Sequence, residues 1–114
     1  MTDADLNQLR AVCANAEVKT ESGRTYVFLP RLVMPPGREP SAVDALLCLG
    51  EHSGYTTRLF VAEQIKGKGA NWSQHTVLGR SWWVCSFNNV PADLRPIQIL
   101  DSHLEAFRGR PRQD

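Results

Sequence analysis

The chain carries almost no net charge, no long apolar run and few cysteines. Thirteen Lys and Arg against twelve Asp and Glu leave a formal charge of +1. That balance gives no electrostatic footprint for nucleic acid or an anionic membrane surface, so neither is expected as a partner. No apolar stretch approaches the roughly 20 residues a bilayer-spanning helix needs. The N-terminus, MTDADLNQLR, is acidic and polar, unlike a secretory signal. Cys13, Cys48 and Cys85 are odd in number and scattered. They predict reduced thiols in a cytoplasm rather than a disulfide framework. Without a C-x-x-C pair they do not have zinc-ligand spacing, and no metal is expected. A Gly-rich phosphate loop, a Ser-His-Asp signature and a paired-carboxylate motif are all missing, and no cofactor is expected.

What remains is an ordinary globular composition, 42% hydrophobic and 22% charged over 114 residues, enough for one core but not two. We expect a single domain over residues 1–107 and a flexible polar tail over 108–114. Thr2 or Asp3 can cap a helix running to about Asn15, with Leu6, Leu9, Cys13 and Ala16 along one side. Glu17 to Leu29 reads as a hairpin turning at Glu21-Ser22-Gly23-Arg24, and Pro30 predicts an edge or a bulge. Pro35 to Pro40 is a loop, Val43 to Leu49 a buried strand, and Tyr55 to Ile65 a further β-rich segment. Lys66 to Gly69 reads as a flexible basic loop, and the stretch from Lys66 to about Arg80 as long and irregular, a length that is disproportionately functional. Arg80 to Phe87 predicts a last strand or an extended wall. A final helix follows, with Asp93 as a cap, Pro96 in its first turn, and Ile97, Leu100, Leu104 and Phe107 as its core stripe. The order predicts an α+β fold: N-terminal helix, antiparallel β-meander of three to four strands, irregular active-site-like segment, C-terminal helix.

The segment from Asn71 to Pro96 concentrates the chemistry. It holds all three tryptophans, Trp72, Trp82 and Trp83, together with His75, Cys85, Asn88 and Asn89. A cysteine acts as a nucleophile only as thiolate, in a positive or hydrogen-bonding environment with some exposure. His75 and Arg80 are candidate modulators of such a thiol; Asn71, Asn88 and Asn89 are candidate amide donors to a developing oxyanion. The same residues also fit a plain packing role. Trp83, Cys85 and Phe87 alternate like one buried strand face, and free cysteine is often a small buried hydrophobe. His75 equally reads as a loop histidine with ordinary hydrogen bonds.

The order of elements resembles the core of ubiquitin-conjugating enzymes (the UBC fold), in particular a divergent bacterial branch. Leu46 to Phe60 resembles that family's apolar strand, tyrosine-bearing turn and next strand, with Tyr55 in the tyrosine's place. His75 stands ten residues before Cys85, like the histidine of the family's His-Pro-Asn motif before its catalytic cysteine. Leu94-Arg95-Pro96 resembles the start of the following helix, and Trp72-x-x-His75 resembles the bacterial branch. The chain departs from the family with Thr76-Val77 in place of Pro-Asn and Thr56 in place of the proline after the tyrosine. The resemblance implies that Cys85 carries a ubiquitin-like protein as a thioester, with His75 beside it and Asn88 or Asn89 as substitute amide donor. It implies a ubiquitin-like protein and an activating-enzyme-like protein as partners, the latter contacting the N-terminal helix. A catalytically inactive scaffold of the same fold, binding either partner, is the alternative. A third reading is a small α+β interaction module unrelated to the family.

Overall fold

The computed structural model describes residues 1–66, 71–87 and 89–108. Gly67 to Ala70, Asn88 and residues 109–114 lie outside the described residues. So do most of the expected basic loop and nearly all of the expected tail.

Helix α1, Asp3–Val12, opens on a capping box. The Thr2 hydroxyl accepts from the Asp5 amide at 3.1 Å, and the Asp5 carboxylate accepts from the Thr2 amide at 3.0 Å, so two otherwise orphaned donors are satisfied. The helix ends at Val12, short of the expected Asn15, where Cys13 turns extended. Strands β1, Glu17–Glu21, and β2, Arg24–Val33, form the expected hairpin. Ser22 and Gly23 both have positive φ, as a two-residue type I′ turn requires. Beyond Phe28 no strand among the described residues pairs with β2 on that side, and its register with the next strand shifts between Leu29 and Leu32. That is the edge and bulge that Pro30 predicts. Strand β3, Ala42–Cys48, is the expected buried strand, and β4, Arg58–Val61, is a short part of the second β-rich run.

Two strands follow where the sequence predicts an irregular segment and one more strand: β5, Trp72–Val77, and β6, Arg80–Cys85. They pair in unbroken register around a second type I′ turn, with Leu78 at φ 54° and Gly79 at φ 72°. The six strands make one antiparallel sheet in the order β1-β2-β3-β4-β6-β5, two more strands than the upper limit expected. β6, not β5, lies beside β4, so the meander ends at β4.

Helix α2, Pro96–Leu104, is capped at Arg95, not Asp93: the Gln98 side chain accepts from the Arg95 amide at 3.0 Å. A short 3₁₀ turn, Glu105–Phe107, follows, and the Arg108 side chain closes back on Asp101 and Glu105. Leu100 and Phe107 are buried as expected, but Ile97 and Leu104 are only half-buried. Ile99 and His103 point inward instead. The helix is rotated by about one position from the predicted stripe, because it packs against α1 and β4 at once.

The sheet has a core on each face. Under the helices lie Leu9, Val27, Leu47, Val61, Ile99 and Leu100. On the far side, Tyr26, Leu46, Cys48, Phe60, Trp82 and Val84 form a second cluster, each no more than 2% exposed. Among the described residues no helix covers this cluster. The sheet curls instead, bringing the β5–β6 hairpin over β2 and β3. Trp82 packs edge-on against Phe28 at 6.3 Å, Arg80 pairs with Asp44 at 3.2 Å, and the Leu78 amide donates to Glu21 at 2.6 Å.

Candidate functional site

In-register partners across an antiparallel ladder share a face of the sheet. His75 pairs with Trp82, whereas Cys85 pairs with Trp72. Since Trp82 and Cys85 are three residues apart on β6, their side chains leave opposite faces. His75 therefore belongs to the far side, its ring 5.4 Å from that of His52 and 5.9 Å from Phe60. Cys85 belongs to the core under the helices. The ten-residue spacing that pairs them in sequence is folded into a hairpin, and the sheet stands between them. Asn89 is exposed and accepts from the Thr56 amide through Oδ1 at 2.7 Å, which ties it to the loop that carries Tyr55. Asn88 lies outside the described residues.

The structure surrounds Cys85 with residues that sequence reasoning passed over. At the end of β6 a cleft is lined by Cys85 with Tyr55, Thr57, Arg58, Phe87 and His103. β4 and β6 share one register pair, Val61↔Trp83. Arg58 stands three residues back along β4 in register with Cys48, so it leaves the strand on the far side, and it reaches the cleft only past the end of the β4–β6 pairing. It is 5% exposed, and its guanidinium stacks over the Tyr55 ring at 4.1 Å. Burial lowers the Arg58 pKa, while attraction to Tyr55, Cys85 and Cys48 raises it. A guanidinium stays charged at any ordinary pH, so a fixed cation shares the cleft with Cys85.

His103 closes the other side. It is buried, and the Thr57 hydroxyl lies 2.9 Å from its Nε2. That hydroxyl donates its one proton to the Val90 carbonyl at 2.8 Å. It must then accept from His103, which places the imidazole proton on Nε2. Burial first, and Arg58 second, push the His103 pKa down to about 4, so the ring is neutral at pH 7. The cleft thus combines a thiol, a permanent cation and a neutral imidazole held by a hydroxyl. Its enclosed volume, about 10 Å³, is room for no more than one water. Any acyl group on Cys85 would have to approach from the open side.

The other two thiols are engaged in the cores. Cys13 donates to the Pro30 carbonyl at 3.3 Å and Cys48 to the Gly50 carbonyl at 3.2 Å, and burial raises both pKa values. None of the three cysteines forms a disulfide among the described residues. Among the described residues no group of three His, Cys, Asp or Glu side chains is placed to hold a metal ion, and no helix is long and apolar enough to cross a membrane.

Two signals in the sequence point to this cleft. His103 lies three residues after Leu100 and four before Phe107, on the helical core stripe. Arg58 opens the apolar run Leu59-Phe60-Val61 and is buried with it. No protein-family model, curated protein or solved structure matches the chain.

Proposed function

We propose that this domain is a ubiquitin-conjugating-enzyme-like protein of a bacterial ubiquitin-like modification pathway, working in the cytoplasm with Cys85 as the acyl carrier. The observation that carries this reading is the buried Arg58 guanidinium in the cleft that Cys85 also lines. A neighbouring cation favours the thiolate, the form that attacks a carbonyl. In the proposed step the Cys85 thiolate attacks the thioester carbonyl joining a ubiquitin-like protein to its activating enzyme. A new thioester forms on Cys85, and the activating enzyme's cysteine leaves as thiolate. A lysine amine or other nucleophile then takes the acyl group, loses its proton to solvent and releases the Cys85 thiolate. Arg58 replaces His75 as the residue that favours the thiolate. Asn89, anchored to Thr56, is the described amide donor nearest in chain to the cleft-lining residues.

A specific observation favours the inactive scaffold as second reading. Cys85 is only 9% exposed and its cleft is narrow, so a domain that binds a ubiquitin-like protein or a partner enzyme without chemistry fits the same fold. The two readings separate when the chain is mixed with a panel of ubiquitin-like proteins activated as C-terminal small-thiol thioesters. A carrier yields a thiol-reducible adduct that Cys85→Ala abolishes and Cys48→Ala leaves intact. Binding with no adduct decides for the scaffold, and neither binding nor adduct removes the family reading.

A further inference from the structure

The two edges of the sheet are built differently. β1, at one edge, carries Glu17, Lys19 and Glu21 among its five residues. Charges of that kind are how proteins prevent an open edge from pairing with another strand. β5, at the other edge, reads Trp-Ser-Gln-His-Thr-Val and has no Asp, Glu, Lys, Arg, Pro or Gly. Its register with β6 is unbroken over all six residues, so no bulge twists it away. Among the described residues no strand covers its outer side.

The ladder dictates which groups β5 presents outward. The turn closes on Val77↔Arg80, and the Ser86 amide donates to the Asn71 carbonyl at 3.1 Å. Both fix the same alternation: Ser73, His75 and Val77 turn their backbone groups toward β6, and Trp72, Gln74 and Thr76 turn theirs away.

We propose that β5 is a self-association edge, at which two copies of this chain pair antiparallel about a twofold axis through Gln74. The symmetry suits the alternation. With Gln74 opposite Gln74, Trp72 of one copy faces Thr76 of the other, so every outward amide and carbonyl meets an outward partner. Trp opposite Thr is a favourable aromatic–β-branched cross-strand pair, and no like charges meet.

The test uses the whole chain and needs no ligand. In sedimentation equilibrium the mass should rise from the 12.8 kDa of one chain toward twice that value with concentration. In hydrogen exchange the amides of Trp72, Gln74 and Thr76 should gain protection over the same range, while Ser73 and His75 stay protected throughout. Gln74→Pro removes an outward amide and the side-chain bond to Ser81, leaving the β5–β6 backbone ladder whole, and should weaken association at least about tenfold. Gln74→Lys keeps the backbone, sets two ammonium groups across the axis, and should weaken association several-fold; it decides the matter should the proline variant fail to fold. A chain that remains at 12.8 kDa at about 1 mM, where even weak pairing registers, overturns the proposal. So does a dimer whose affinity the lysine variant does not change.

Discussion

The backbone amide of Leu78 donates to the carboxylate of Glu21 at 2.6 Å, although the two residues belong to hairpins at opposite edges of the sheet. This bond joins the two hairpin ends and holds the sheet curled over Trp82. Leu78 itself sits at φ 54°, unfavourable for a branched side chain, so the turn needs an external partner. Glu21→Ala should destabilise the fold by about 1–2 kcal/mol, the usual cost of losing a charge-assisted bond at a half-buried donor. Glu21→Gln, which keeps an acceptor oxygen, should recover much of it. Denaturant titration checks both, and the near-ultraviolet signal of Trp82 should change in the alanine variant.

His103 makes stability depend on pH. Its folded pKa of about 4 lies below the ordinary 6.5, so the unfolded chain binds the proton more readily. The stabilisation is complete above about pH 6.5 and is lost as pH falls toward 4. A depression of that size corresponds to about 3 kcal/mol. His52 and His75 are lowered too, chiefly by burial, and act in the same direction. His103→Gln can still donate to Thr57 but cannot titrate. Denaturant titrations at pH 7 and pH 4.5 should show a smaller loss for this variant than for the parent chain.

The first hairpin is legible because Ser22-Gly23 is recognisable turn chemistry between two alternating runs. The second is built the same way, but Leu78 is not a turn-forming residue, and Ser73, Gln74 and Thr76 read as loop. Its stability comes from tertiary partners, Phe28, Asp44 and Glu21, which no local pattern contains. Missing that hairpin also misdirects the site. His75 and Cys85 look like neighbours across an irregular segment, whereas a regular ladder puts them on opposite faces. Arg58 and His103 are harder still, since their partners Tyr55, Thr57 and Val90 are brought together only by the fold.

The one-position rotation of α2 has a direct energetic signature. Leu100 is 1% exposed, and Leu100→Ala should cost about 2–5 kcal/mol, the transfer term plus the cavity left behind. Leu104 lines the outer groove with Val12, Val33 and Ile97, so Leu104→Ala should cost under about 1.5 kcal/mol. Guanidinium titration of the two variants gives the answer. Equal losses would return the helix to the orientation its sequence stripe suggests.

Thiol reactivity separates Cys85 from the other two cysteines without any partner protein. Cys48 is fully buried, Cys13 is 6% exposed and Cys85 is 9% exposed, so access alone favours Cys85 only slightly. The larger difference is electrostatic. Burial raises the pKa of Cys13 and Cys48, and neither lines the cleft that holds the Arg58 guanidinium with Cys85. A mild alkylating reagent at pH 7, followed by peptide mass analysis, should modify Cys85 first and Cys48 last. Arg58→Met keeps the stem against Tyr55 but removes the charge. The rate at Cys85 should then fall severalfold, because the thiolate loses its neighbouring cation. The fall should be steepest near neutral pH and fade as the solution becomes alkaline, because there the thiolate forms without help. A Cys85 rate that Arg58→Met leaves unchanged across that range would mean the guanidinium serves packing alone, and the thiol would lose its claim to be a nucleophile.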